Sequence, residues 1–244
     1  MEAPLILFYF LLLMVAFLYS AVGHGGASGY LALMALFSFA AETMRPTALL
    51  LNLFVSFIAF FQYQRSGYFK WNMFWPFAVT SIPAAFLGGL ITVDAGIYKK
   101  VLAILLLFSV VKLLGMRFKT KESLKEQNTL LSLLIGAIIG LFSGMIGIGG
   151  GIILSPLVLI LHWANMKQTA ALSALFIFVN SVSGLAGLLV KGFEYKNEMG
   201  IMVVIAFIGG LAGSYYGARK FENTLLNKIL AVVLIMASCK LFFT

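Results

Sequence analysis

"SAVGHGGASGY", residues 20–30, breaks a stretch of chain that otherwise reads as lipid-buried. No Asp, Glu, Lys or Arg occurs from residue 3 to residue 41, so the glycines lie between two uncharged apolar arms. The pattern recurs once. Residues 127–166 carry no charge, and "GIGGG" at 147–151 divides them. Each stretch is close to two membrane crossings long. The arm after each cluster would rise only about 22 Å as a helix, short of the roughly 30 Å hydrocarbon layer. The glycines are therefore expected below the membrane surface, where non-helical backbone survives only if buried in protein or lining a wet cavity.

The rest of the chain supports this. Of its 244 residues, 62% are hydrophobic and 10% charged, with mean hydropathy +1.05, too little charge to cover a soluble surface. Uncharged runs at 71–93, 169–190 and 199–218 are each long enough to span the bilayer as helices. The fold class is an all-α polytopic membrane protein. The net charge of +9 does not imply nucleic acid, because basic residues gather in connectors facing anionic lipid, above all "MRFKTKESLKEQN" at 116–128. The lone Cys239 excludes an intrachain disulfide. "MEAPLILFYFLLL" has no basic residue before its apolar run, which favours a retained first helix over a cleaved signal.

Two halves match in order. "GHGGA" at Gly23 pairs with "GIGGG" at Gly147, "MRPTALLLNLF" at Met44 with "MKQTAALSALF" at Met166, and "KVLAILLLFSVVKLL" at Lys100 with "KILAVVLIMASCKLF" at Lys228. The offsets are 124, 122 and 128 residues, and their collinearity indicates duplication. The expected organisation is a first membrane repeat at 1–115, a basic cytoplasmic connector at 116–128 and a second repeat at 129–244. Apolar segments fall near 4–22, 27–41, 46–64, 72–93 and 98–115, then 129–146, 151–163, 168–190, 199–218 and 227–243. Five crossings per half, or three if the first two form a re-entrant hairpin, is an odd number. Odd repeats are inverted, giving eight to ten membrane segments with broken or re-entrant helices at the glycines. With the connector inside, 11 basic residues are cytoplasmic and 6 external, a modest bias of the right sign.

Gly-rich turns that open helices leave unpaired N–H groups, and with the helix dipole these attract anions. Gly23, His24, Gly25 and Gly26 in one half, with Gly147, Gly149, Gly150 and Gly151 in the other, are the candidate substrate-binding turns. Close helix packing is the alternative for glycines, and Gly88, Gly89, Gly209, Gly210 and Gly213 are expected to serve it. His24 is matched by Ile148, so it either touches substrate or bonds a neighbouring helix. Ser28, Ser143 and Ser155 beside the turns, and Asn52 and Asn180 within apolar segments, are candidate ligands. Intramembrane hydroxyls otherwise bond their own helix. Thr47 and Thr169 hold matched positions suited to capping or ligand contact. Arg45, mate of Lys167, is an anion gate or a snorkelling surface charge. Trp71, Trp75 and Trp163 are expected in the interfacial belts. All eight acids lie in termini or connectors, which favours an anion over a cation; no catalytic residue, metal or cofactor is expected.

"GHGGASGYLAL", "MRPTALLLN", "GMIGIGGGIILSPLVL" and "GSYYGARKF" resemble the TauE/SafE sulfite and organosulfonate exporters, the toluene-sulfonate-uptake permease family, over nearly the whole chain. The resemblance implies a multi-pass carrier of the bacterial inner membrane exporting sulfite or a small organosulfonate by alternating access. Its partners would be that small anion and membrane lipid, with no nucleic acid, and homodimerisation is left open. The first half departs from the duplicated pattern at His24, at Ala27 and in lacking a proline like Pro156. An anion channel, or an uptake permease for another sulfur-containing anion, is the alternative. An intramembrane hydrolase built from Ser28 with His24 or His162 is disfavoured, since the spacing makes no nucleophile–base geometry.

Overall fold

The structure is a computed structural model describing residues 2–21, 25–115, 124–217, 234–236 and 238–242. Gly23 and His24 lie outside the described residues, as do most of the connector and much of the last apolar segment. Among the described residues nine helices run in chain order: α1 (Glu2–Ala21), α2 (Ala27–Leu36), α3 (Ala41–Arg65), α4 (Trp71–Leu90), α5 (Ala95–Gly115), α6 (Thr129–Ile146), α7 (Gly151–Ile160), α8 (Met166–Val190) and α9 (Asn197–Gly217). Residues 234–236 and 238–242 are also helical, and no strand occurs among the described residues. Among the described residues six helices, α1, α3, α4, α6, α8 and α9, are long and apolar enough to cross a membrane, while α2 and α7 are shorter apolar helices.

Both short helices end sooner than hydropathy suggests, at Leu36 and Ile160 instead of residues 41 and 163. The reason is backbone geometry. Ser38 and His162, 124 residues apart, take left-handed φ values of 62° and 57°. Phe39 N–H then donates to Met34 O at 2.9 Å and Ser38 N–H to Ala35 O at 3.0 Å. Trp163 and His162 repeat those bonds to Val158 O and Leu159 O, both at 3.1 Å. This is the paired 6→1 and 5→2 pattern that closes a helix C-terminus. At ten residues, each short helix rises about 15 Å, half the hydrocarbon thickness.

The ends of each hairpin meet on one side. Phe8 of α1 stacks on Phe39 and packs edge-on against Phe37 beyond α2. Lys125 N–H, ahead of α6, donates to the His162 carbonyl beyond α7 at 2.8 Å. Between the hairpins, α3 and α8 run antiparallel. Arg45 and Pro46 share a cavity wall with Leu188 and Lys191 at one end, and Lys167 Nζ donates to Tyr68 OH at the other. The α1–α2 hairpin therefore opens at the Arg45 end of the bundle and the α6–α7 hairpin at the Lys167 end.

Partner helices are exchanged between halves. α4 packs on α6, and their counterparts α9 and α1 pack on each other. A Cβ on Gly88 would overlap the Leu141 carbonyl, and one on Gly213 would overlap that of Phe17, the position 124 residues before Leu141. The same contact is thus made twice with the halves swapped, an arrangement compatible with inverted repeats. Gly136, Gly140 and Gly144 press onto the α4 backbone at Phe77, Ser81 and Ala85, while Gly209 and Gly213 press onto α1. In lipid, where apolar burial drives little, such close backbone approach supplies the dispersion energy of helix association. The packing role expected of Gly88, Gly89, Gly209, Gly210 and Gly213 matches this geometry. Trp163 departs from expectation. Trp71 and Trp75 are exposed, but Trp163 is buried in the core, 6.2 Å from the Phe77 ring, because the tight end of α7 turns it inward.

Candidate functional site

At the ends of the bundle α5, α6 and α8 use side chains to satisfy their first N–H groups, whereas α3 and α4 start there with no side-chain cap bond. Asn128 accepts from Leu131 N–H, Asp94 accepts from Gly96 and Ile97 N–H, and Asn165 forms a reciprocal capping box with Gln168. α2 and α7 begin inside the protein and do otherwise. Their caps are Gly26 (φ 82°) and Gly150 (φ 76°), and neither has a side-chain cap bond. Left-handed φ at these caps explains why glycine is needed there. The first N–H groups of both helices lack intrahelical acceptors, and both positive dipole ends lie inside the bundle.

The two turns converge on the same residues. A Cβ on Gly25 would lie 3.0 Å from Ile177 Cγ2 and 3.5 Å from Asn52 Oδ1. One on Gly149 would lie 2.7 Å from Ile177 Cγ2 and 2.8 Å from Asn52 Nδ2. Asn52 and Ile177 sit near the midpoints of α3 and α8, so the turns meet at mid-depth. Asn52 has no exposed surface, and neither end of its amide has a hydrogen-bond partner. A buried polar group left so costs about 1–3 kcal/mol, and an amide has two such ends. Around the first turn, Tyr19, Gly25, Gly26, Ser28, Ile148 and Ile177 are among the residues lining a crevice of about 10 Å³, the room of a single water.

The other expected site residues divide. Gly25, Gly26, Gly149, Gly150, Gly151 and Asn52 are brought together around Ile177 and its neighbour Phe176. Ser28 shares a 2.8 Å hydrogen bond with Tyr19 OH beside the first turn. Ser155 is spent on Gly151 O at 2.7 Å and on Ser173 Oγ at 2.8 Å. Asn180 donates to Phe176 O at 2.9 Å but leaves Oδ1 without a partner. Thr47 bonds Thr43 O in its own helix at 2.6 Å, and Thr169, buried with its hydroxyl unpaired, lies past the Asn165 cap. Neither threonine caps a helix. Gly147 closes α6 with φ 88° and lies against the Arg45 backbone, away from Asn52.

Arg45 is not a snorkelling surface charge. It is 7% exposed. Its Nε donates to Gly144 O at 2.8 Å, Nη1 to Ile91 O at 3.0 Å, and Nη2 to Gly88 O at 2.6 Å and Gly89 O at 2.8 Å. The guanidinium thus closes the C-terminal ends of α4 and α6, where the helix dipoles are negative and carbonyls lack intrahelical donors. Lys167, its repeat mate, is exposed and rests over the Tyr68 ring. Sequence reasoning missed Tyr30, whose buried hydroxyl has no partner. Its signal was a polar-tipped ring four residues beyond the cap glycine.

Uncapped helix starts meeting at mid-depth between antiparallel central helices define a multi-pass membrane protein of the transporter type. The chain belongs to the sulfite exporter TauE/SafE family, which it matches over residues 8–241. It is 34% identical over 233 residues to the probable membrane transporter protein y4hK of Sinorhizobium fredii, covering 94% of each chain. It is 28% identical over 109 residues to the probable membrane transporter protein YunE of Bacillus subtilis, covering 45% of this chain and 40% of that one. Sulfite exporter TauE/SafE family protein 1 of Arabidopsis thaliana is 32% identical over 88 residues, 36% of this chain and 19% of that one. No solved structure matches.

Proposed function

We propose that the protein exports a small oxyanion, sulfite or a small organosulfonate, across the bacterial inner membrane by alternating access. The observation that carries this reading is Asn52, a fully buried amide with both ends unpaired, held between two uncapped helix starts. The turns offer N–H donors, and among the described residues no cluster of His, Cys, Asp or Glu could hold a metal ion. That donor-rich setting suits an anion's oxygens. The roughly 10 Å³ crevice is too small for sulfite, so entry requires the turns to part. Moving the α1–α9 pair against the α4–α6 pair, each of which joins the two halves, would part them, which favours a carrier over an open channel. An inside-negative potential drives an anion outward by about 2.3 kcal/mol per charge per 100 mV, so export would need no coupling ion.

Sulfite flux from proteoliposomes at clamped voltage tests this. Voltage-dependent saturable efflux is expected, and Asn52→Leu, close in shape but without polar ends, should lose most of it while staying folded. Wild-type vesicles that release no sulfite or sulfonate would overturn the reading, and conductance at channel rates would replace the carrier by a pore.

A further inference from the structure

Tyr30 is the polar group at the first turn that the reading above leaves without a task. It has no exposed surface, and its hydroxyl has no hydrogen-bond partner. In the first turn of α2, its ring leans back toward the helix start, as long helical side chains do. A Cβ on Gly26 would lie 2.6 Å from both Tyr30 Cζ and Tyr30 OH. The phenol therefore covers the cap glycine at the start of α2. The Tyr30 N–H itself is committed, donating to Gly26 O at 3.0 Å.

A second tyrosine borders the same turn, and the contrast is informative. The Tyr19 hydroxyl is shared with Ser28 Oγ, so its position is explained by the fold. That of Tyr30 is not. Packing alone would be served as well by phenylalanine, without the cost of an unpaired buried hydroxyl. The second half offers no equivalent, because the residue 124 positions on is Leu154. The unpaired phenol thus belongs to one turn only, at the end of the helix where negative charge is most stabilised.

We propose that the Tyr30 hydroxyl donates a hydrogen bond to an oxygen of the bound oxyanion at the start of α2. This rests on the assignment of the turns as the anion site. A hydrogen bond to a charged ligand corresponds to on the order of a ten- to hundredfold change in affinity.

The test uses the purified protein and Tyr30→Phe, titrated with sodium sulfite, alongside thermal melts without added anion. The variant is expected to bind sulfite at least tenfold more weakly and to melt no lower than wild type. Equal sulfite affinity in the two proteins would overturn the role of Tyr30 alone. A melting point several degrees lower in the variant would overturn it too, since the hydroxyl would then have a partner within the protein. Failure of the wild type to bind sulfite would remove the anion-site assignment and this inference together.

Discussion

Replacing Arg45 by alanine is expected to destabilise the protein by about 3–5 kcal/mol, because four helix-end carbonyls lose a charged donor at once. Gly88, Gly89 and Gly144 are buried, and a buried carbonyl left without its donor is costly. Arg45→Lys should recover only part of the loss. An ammonium keeps the charge but cannot spread its donors in a plane across two helix ends. The shift of the thermal midpoint in detergent, measured for both variants, checks this. A midpoint unchanged in Arg45→Ala would mean that these contacts are not what closes this end of the bundle.

Gly144→Val should cost about 3 kcal/mol or more, for a different reason. A Cβ there overlaps the Ala85 carbonyl and lies 2.9 Å from Gly89 N, and backbone cannot turn aside as a side chain can. The whole α4–α6 seam would have to separate, losing contacts that hold helices together in lipid. Gly67→Ala provides the comparison. Gly67 also has a positive φ, 74°, but nothing lies within 4 Å of its Cβ position, so only backbone strain of about 1–2 kcal/mol is expected. Equal melting points for the two variants would remove close packing as the role of Gly144.

The two glycine turns differ in what a mutation would report. Gly150 has a φ of 76°, and its Cβ would lie 2.6 Å from Ile139 Cγ2 and 2.8 Å from Phe176 Cε1. A side chain there disturbs the fold as well as any site. Gly25 meets the two Ile177 methyls at 3.0 and 3.1 Å and Asn52 Oδ1 at 3.5 Å, and has no positive φ. Gly25→Ala is therefore the cleaner probe, expected to reduce sulfite flux in proteoliposomes at a nearly normal melting point. Wild-type flux in that variant would place the anion elsewhere.

Much of this was legible along the chain because it depends on composition and period. Uncharged runs gave the number and place of most helices, and the two glycine clusters marked the breaks. Helix ends were less legible. α2 and α7 stop at Leu36 and Ile160 because Ser38 and His162 enter the left-handed region, which neither residue type announces. Trp163 looked like a belt residue for the same reason. Arg45 was the hardest to read, since its mate Lys167 lies on the surface and the carbonyls that hold Arg45 belong to helices 43 to 99 residues away.

By itself the sequence determined a polytopic helical membrane protein, its duplicated pattern and the glycine breaks, because lipid solvation and backbone hydrogen bonding are local demands that each segment meets alone. Only the tertiary structure decided which polar groups are spent and which are left over. Arg45, Thr47 and Ser155 are committed to carbonyls, whereas Asn52 and Tyr30 remain unpaired beside uncapped helix starts. A hydrogen-bond partner depends on what folds against a residue, and that is settled by packing between distant segments.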